Sequence, residues 1–160
     1  MGQISSLATR FESARRFKMD ILFICRDALY DSMISNLTLA ISFRKSGKTV
    51  GVLFTGDALH GLCDEIIKYP ASLSGVEVRK TVSSGADQLG VSLHPARDPK
   101  GLDVRPLLWQ AKESGVLLYA CPIWSSLLKL SGKLPQGLSP ITIEKLLDEI
   151  SSSPKVIGAL

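Results

Sequence analysis

Three short apolar runs, each followed by a segment that reads as a helix, constrain the fold of this chain more than any other feature. The runs lie at 21–25, 49–55 and 116–121. Runs of this length, rich in Val, Leu and Ile, are typical of strands buried on both faces of a sheet. Strands that alternate with helices predict an α/β fold. We expect a three-layer α/β/α sandwich with a mostly parallel sheet of about five strands.

The remaining elements are expected from weaker patterns. Apolar residues at helical spacing predict a helix over 104–111, and 155–157 predicts a short terminal strand. Ser139 and Pro140 resemble the start of a late helix. Segment 70–101 combines Ser, Gly, Pro and mixed charge with little periodicity, so we expect it to be a long excursion with limited structure of its own.

Length and composition indicate one folded domain. The chain has 160 residues, of which 45% are hydrophobic, and this is enough for a sizeable core. We expect an α/β domain over 20–160, preceded at 1–19 by an amphipathic extension with Leu7 and Phe11 on one face. No apolar stretch has the length of a membrane span or of a signal-peptide core, so the sequence predicts a cytoplasmic protein that does not associate with membranes.

Charge and motifs disfavour several function classes. The net charge is +4, and 19 Lys and Arg residues are dispersed among 15 acidic ones, so no nucleic-acid surface is expected. No glycine-rich phosphate loop follows a strand, which disfavours an NTPase or a dinucleotide-dependent dehydrogenase. We expect no cofactor. His60 and Cys63 stand three residues apart, but no second pair of ligands is evident, and therefore no metal site is predicted.

Cys121 is the residue with the clearest chemical interpretation. It ends the third apolar run and is followed by Pro122, which predicts a helix start directly after the strand. Ligands of open α/β sheets bind at the carboxyl ends of the strands, and a helix N-terminus favours a thiolate. The alternative is that Cys121 packs as a small buried hydrophobe. Cys25 and Cys63 are expected near the same edge, either as relay thiols or, more commonly for cysteine, as packing residues.

A pocket is expected beside this thiol. The sequence predicts that it is small, apolar-walled and tolerant of anions, because backbone N–H groups converge at this edge. His60 is a candidate proton donor there, with a solvated histidine as the alternative. Asp57 is expected first to cap the helix after Gly56, with a pocket role second. The residues expected to line the pocket are Arg26, Asp57, Ala58, Cys121, Pro122 and Ile123.

The order of elements resembles that of the DsrE/DsrF-like (DsrEFH, TusD-like) family. The segments that carry the resemblance are 21–59, 107–130 and the terminal strand, and the strand-terminal Cys121 is the chemically specific element. The resemblance implies that Cys121 accepts sulfane sulfur as a persulfide and passes it to another protein. It also implies a homotrimer or homohexamer. The chain departs from the family pattern in having Pro122 after the cysteine, where many relatives have a small residue, and a longer excursion at 70–101.

Two functions follow as hypotheses. The first is a cytoplasmic sulfur carrier or sulfurtransferase-like protein, with sulfur donor and acceptor proteins as partners. The second is a non-catalytic oligomeric module that binds a small ligand or a partner at the same sheet edge. The reactivity of Cys121 separates them, since persulfide transfer needs a thiolate.

Overall fold

Strands and helices alternate along the part of the chain that the structure, a computed structural model, describes: residues 18–95 and 102–158. The predicted extension at 1–19 lies almost wholly outside these residues. The strands are β1 (Ile21–Cys25), β2 (Val50–Phe54), β3 (His94–Pro95), β4 (Leu102–Asp103), β5 (Leu117–Ala120), β6 (Ser139–Pro140) and β7 (Lys155–Gly158). The helices are α1 (Tyr30–Lys45), α2 (Gly56–Cys63), α3 (Val76–Leu89), α4 (Arg105–Glu113), α5 (Pro122–Leu127) and α6 (Ile143–Ser152).

Five of the strands form one sheet in the order β6-β5-β2-β1-β7, and all its neighbouring strands are parallel. Helices lie on both sides of it, with α1 packed against α4. The predicted α/β sandwich with a mostly parallel sheet of about five strands is therefore confirmed. The strands β3 and β4 form a separate antiparallel pair.

The core is densest around the two central strands. Every residue of β2 is buried, and in β1 only Ile24 has partial exposure. Phe23 and Phe54 are completely buried, as are Met33 and Leu37 on the inner side of α1. A parallel strand covered by helices on both faces has no solvent side, and this explains why these strands read as continuous apolar runs instead of alternating ones.

The prediction of limited structure at 70–101 was wrong. That segment contains α3, a helix of 14 residues that ends at Gly90 with a left-handed φ of 66°. Ala86 is the one buried residue of α3. Val78, Val82, Ala86 and Leu89 nevertheless recur at helical spacing along α3, so the sequence carried a helix signal, and the prediction followed the Ser, Gly and Pro content of the segment instead.

The predicted helix start at Ser139 and Pro140 was also wrong. These two residues form β6, which pairs with β5 at the edge of the sheet. Proline is tolerated there because an edge strand has one side without a partner. The helix α6 begins three residues later, at Ile143, and is capped by Thr142, whose hydroxyl oxygen accepts a hydrogen bond from the backbone N–H of Lys145 at 3.2 Å.

Membrane-spanning helices are absent from the described residues, since no helix there is both long and apolar enough to cross a bilayer.

Candidate functional site

Three strand ends converge at the carboxyl edge of the sheet. The last residues of β1, β2 and β5 are partners in the parallel register, so Arg26, Thr55 and Cys121, which follow them, stand side by side. We call these three residues the strand-end row. The backbone N–H of Cys121 donates to Phe54 O at 2.9 Å, and that of Thr55 donates to Cys25 O at 3.0 Å. The ladder thus continues one residue past the strands and holds Cys121 at the position that the sequence predicts.

A pocket of about 370 Å³ opens at this edge, and we call it the edge pocket. Its lining residues come from the ends of β1 and β2, from α2 and from α5: Arg26, Asp27, Thr55, Gly56, Asp57, His60, Trp124 and Leu128. Arg26, Asp57 and His60 were expected there. Cys121, Ala58, Pro122 and Ile123 were also expected near it, but none of them lines the pocket.

Burial explains this difference. Cys121 is only 4% exposed and Ala58 is completely buried, so both lie beneath the pocket surface. Ile123 points to solvent on the first turn of α5. The side chain of α5 that reaches the pocket is instead Trp124, three residues after the cysteine. The sequence did not predict a pocket role for this tryptophan.

The polarity of the edge pocket also differs from the expectation. Its walls carry two carboxylates, Asp27 and Asp57, against the single guanidinium of Arg26. Thr55 and His60 add further polar groups. The pocket is therefore mixed in character instead of apolar-walled, and its formal charge does not favour anions.

The His60 imidazole lies next to Asp64, the residue that follows α2. Its Nε2 lies 2.8 Å from Asp64 Oδ2, one turn along the chain, and both side chains are about half exposed. The imidazole lines the edge pocket and an adjoining pocket that contains Ala28, Ile66 and Lys68. In the part of the chain that the structure describes, no group of three or more His, Cys, Asp or Glu side chains is arranged to hold a metal ion.

Gly56 makes the turn from β2 into α2 possible. Its φ is +54°, a conformation that residues with a Cβ rarely adopt, and a Cβ there would lie 4.0 Å from Trp124 Nε1.

The predicted cap at Asp57 was wrong. Thr55 occupies the N-cap position, and no side chain makes a capping hydrogen bond.

The other two cysteines have thiols that resist ionisation. Burial, and secondarily the charge of Asp27, raises the pKa of Cys25 to about 12. Its Sγ lies 3.9 Å from Met33 Sδ, which accepts its weak hydrogen bond. Burial and the charge of Asp64 also raise the pKa of Cys63. Since the thiolate is the nucleophile, both residues are poorly suited to attack a sulfane sulfur at neutral pH.

No protein-family model matches the chain, and no curated protein matches it by sequence. Among solved structures, the chain is similar to the crystal structure of the YchN protein from E. coli, with a TM-score of 0.57 and 18% sequence identity. The alignment covers 88% of this chain and 99% of that chain. YchN has a DsrE-like fold. The chain therefore shares the fold that its resemblance to the DsrE/DsrF-like family implies.

Proposed function

We propose that this protein carries sulfane sulfur as a persulfide on Cys121. The observation that supports the proposal is the place of Cys121 in the strand-end row, at the sheet edge where α/β proteins bind ligands. The raised pKa values of Cys25 and Cys63 make both residues weaker candidates. The DsrE-like fold, shared with YchN, is consistent with this role.

The chemistry is two successive thiol exchanges. The Cys121 thiolate attacks the outer sulfur of a persulfide donor, a new S–S bond forms, and the donor leaves as a thiolate. An acceptor thiolate then attacks the outer sulfur on Cys121, and the Cys121 thiolate is released. The sulfur atom moves with no net oxidation or reduction, so neither a metal nor an organic cofactor is needed.

Access to the thiol requires movement of the residues around it. Because Cys121 is 4% exposed, a donor reaches it only when the residues that cover it move. The helix α5 has six residues and none of them is buried, so it is a suitable segment for local opening. We propose that opening of α5 beside the edge pocket admits the donor.

The proposal is tested by loading the protein with a persulfide donor and measuring its intact mass under non-reducing conditions. The wild type should gain the mass of one sulfur atom, and Cys121→Ser should not, because serine removes the nucleophile with little change in volume. Cys63→Ser is the matched control and should load like the wild type. Loading that survives in Cys121→Ser but is lost in Cys63→Ser would assign the sulfur to Cys63 and refute the proposal.

A second candidate is a non-catalytic module that binds a small polar ligand in the edge pocket. The observation in its favour is that the pocket is open while Cys121 does not line it. Ligand binding of this kind requires no thiol. Failure of both the wild type and Cys63→Ser to load sulfur would therefore favour the binding module over the sulfur-carrier function.

We also propose that the protein forms a homo-oligomer, a trimer or a hexamer by the family resemblance, with Cys121 near a subunit boundary. Ile123, Trp124 and Leu127 place exposed apolar surface on α5, directly after this cysteine. Such surface is typical of interaction sites. A subunit boundary there would link assembly to access to the thiol.

A further inference from the structure

A second concave region lies away from the strand-end row, and we call it the side cleft. It has a volume of about 260 Å³ and is formed where the end of α2, the start of α4 and the segment 133–136 meet. None of Arg26, Thr55 and Cys121 lines it. The side cleft is therefore a site separate from the proposed sulfur carrier.

The floor of the side cleft is apolar. Leu62, Val104 and Leu108 are buried beneath it, with Ile67 and Pro135 beside them. Small-molecule sites are usually lined by apolar side chains with a few polar groups, and their volumes are typically about 300–1,000 Å³. The side cleft has this kind of lining and lies just below that range. It suits a small organic molecule better than a nucleotide or a polymer.

Three of the charged groups at the rim form one cluster with a formal charge of −1, in which a single guanidinium faces two carboxylates. Arg105 Nη1 lies 3.0 Å from Glu65 Oε1, and Arg105 Nη2 lies 2.8 Å from Asp103 Oδ2. Asp103 also accepts a hydrogen bond from the backbone N–H of Arg105 at 3.0 Å, at the start of α4. Both carboxylates are thus already engaged by the guanidinium, and Asp103 by the helix N-terminus as well.

Lys133 differs from these residues. Its side chain lines the side cleft, and no ion pair within 4.0 Å joins it to any residue among 18–95 and 102–158. Among the lining residues that the structure describes, it is therefore the cation without an ion-pair partner, and its ammonium group can meet a ligand. An apolar floor with one available cation is complementary to a molecule with an apolar body and a single negative group.

We propose that the side cleft binds a small carboxylate, with its hydrocarbon part on the Leu62, Val104 and Leu108 floor and its carboxylate near Lys133. Cys63 lies on the wall of the same cleft and is partly exposed. A bound ligand should therefore shield the Cys63 thiol from alkylation, which provides a readout independent of affinity.

The experiment uses phenylacetate and hexanoate as probes, with phenylacetamide and hexanamide as uncharged matched controls. Affinity is measured by NMR titration of the full chain, and alkylation of Cys63 by iodoacetamide is followed by peptide mass. The carboxylates should bind about threefold to fivefold tighter than the amides, as expected for one partly exposed ion pair. They should also slow alkylation of Cys63.

Two lysine variants test the assignment. Lys133→Gln should abolish the preference for carboxylate over amide. Lys129→Gln, at an exposed lysine four residues earlier and outside the side cleft, should keep it. Equal affinity for acid and amide in the wild type, loss of the preference in Lys129→Gln, or no saturable binding of any probe would overturn the proposal. Cys121→Ser should bind as the wild type does, so this result is independent of sulfur loading.

Discussion

The three cysteines differ in their exposure and in their position in the fold. Cys25 is enclosed by the core at the end of β1, beside Met33, and burial raises its pKa to about 12. Cys63 is partly exposed at the end of α2, and its raised pKa has the same main cause. Cys121 is nearly covered, yet it lies in a row with Arg26 and Thr55 at the carboxyl edge of the sheet. Exposure thus favours Cys63 as the reactive cysteine, whereas position at the carboxyl edge of the sheet favours Cys121.

The raised pKa of Cys25 predicts a loss of stability in alkali. The thiol ionises near its ordinary value of 9.0 in the unfolded chain, but only near about 12 in the folded protein. Between these values the unfolded chain has lost a proton that the folded protein retains, so stability falls as the pH rises. The slope that this thiol contributes is about 1.4 kcal/mol per pH unit.

Urea unfolding of the wild type and of Cys25→Ala across alkaline pH measures this contribution. The variant should be less stable at neutral pH because it loses buried volume, and its stability should fall less steeply above pH 9. Parallel pH profiles for the two proteins would show that Cys25 ionises normally in the folded state.

The helices α2 and α3 show how differently two elements can depend on packing. A Cβ at Gly61 of α2 would lie 2.7 Å from Ala28 Cβ and 3.0 Å from Ile66 O. At Gly85 of α3, a Cβ would meet nothing within 4 Å. The helix α2 is therefore docked closely against the segments that frame the pockets, while α3 is open to solvent along much of its length.

Alanine substitution at these two glycines should have opposite effects. Gly61→Ala should lower the free energy of unfolding by about 1–3 kcal/mol, because neither Ala28 nor the backbone at Ile66 can move away freely. Gly85→Ala should raise it by about 0.5–1 kcal/mol, since alanine is the better helix former. Chemical denaturation of both variants is the measurement. A gain of stability in Gly61→Ala would show that α2 can shift outward at little cost.

Two short helices in the carboxyl-terminal half of the chain carry exposed apolar side chains. On α5, Leu127 is 65% exposed, and on α6, Leu147 is 58% exposed with Ile143 and Ile150 on the same helix. Isolated exposed apolar residues are common, whereas several on one helix face are typical of an interaction surface. This distribution supports the proposed homo-oligomer.

Charge substitutions on these helices should weaken assembly. We expect light scattering at micromolar concentration to give the mass of a trimer or a hexamer for the wild type, and a lower mass for Leu127→Glu or Leu147→Glu, because a buried unpaired carboxylate opposes association. Leu39→Glu, at a 41% exposed site on α1, is the matched control and should assemble normally. A monomeric wild type would contradict the prediction.

Local pattern in the sequence was enough to predict the central fold. The runs that became β1, β2 and β5 are apolar because helices lie on both sides of the sheet and most residues of these strands are buried; Leu117 at the start of β5 is exposed, and Ile24 of β1 is partly exposed. The junction at Cys121 was also predictable, since the apolar run ends there and Pro122 starts a helix. By contrast, β6 consists of two exposed residues and is too short for a periodic signal, and the helical spacing of Val78, Val82 and Ala86 in α3 lies among Ser, Gly and charged residues that favour a loop.

The make-up of the site depended on packing between distant segments. The position of Cys121 directly after a strand can be predicted from the residues next to it in the sequence. Its 4% exposure, by contrast, results from how other elements of the fold cover it. Trp124, Asp27 and Thr55 reach the edge pocket from three different elements, and Lys133 reaches the side cleft from a segment without regular structure. Periodicity reports which face of an element is buried, whereas a pocket is defined by where several elements leave space between them, and that geometry exists only in the folded chain.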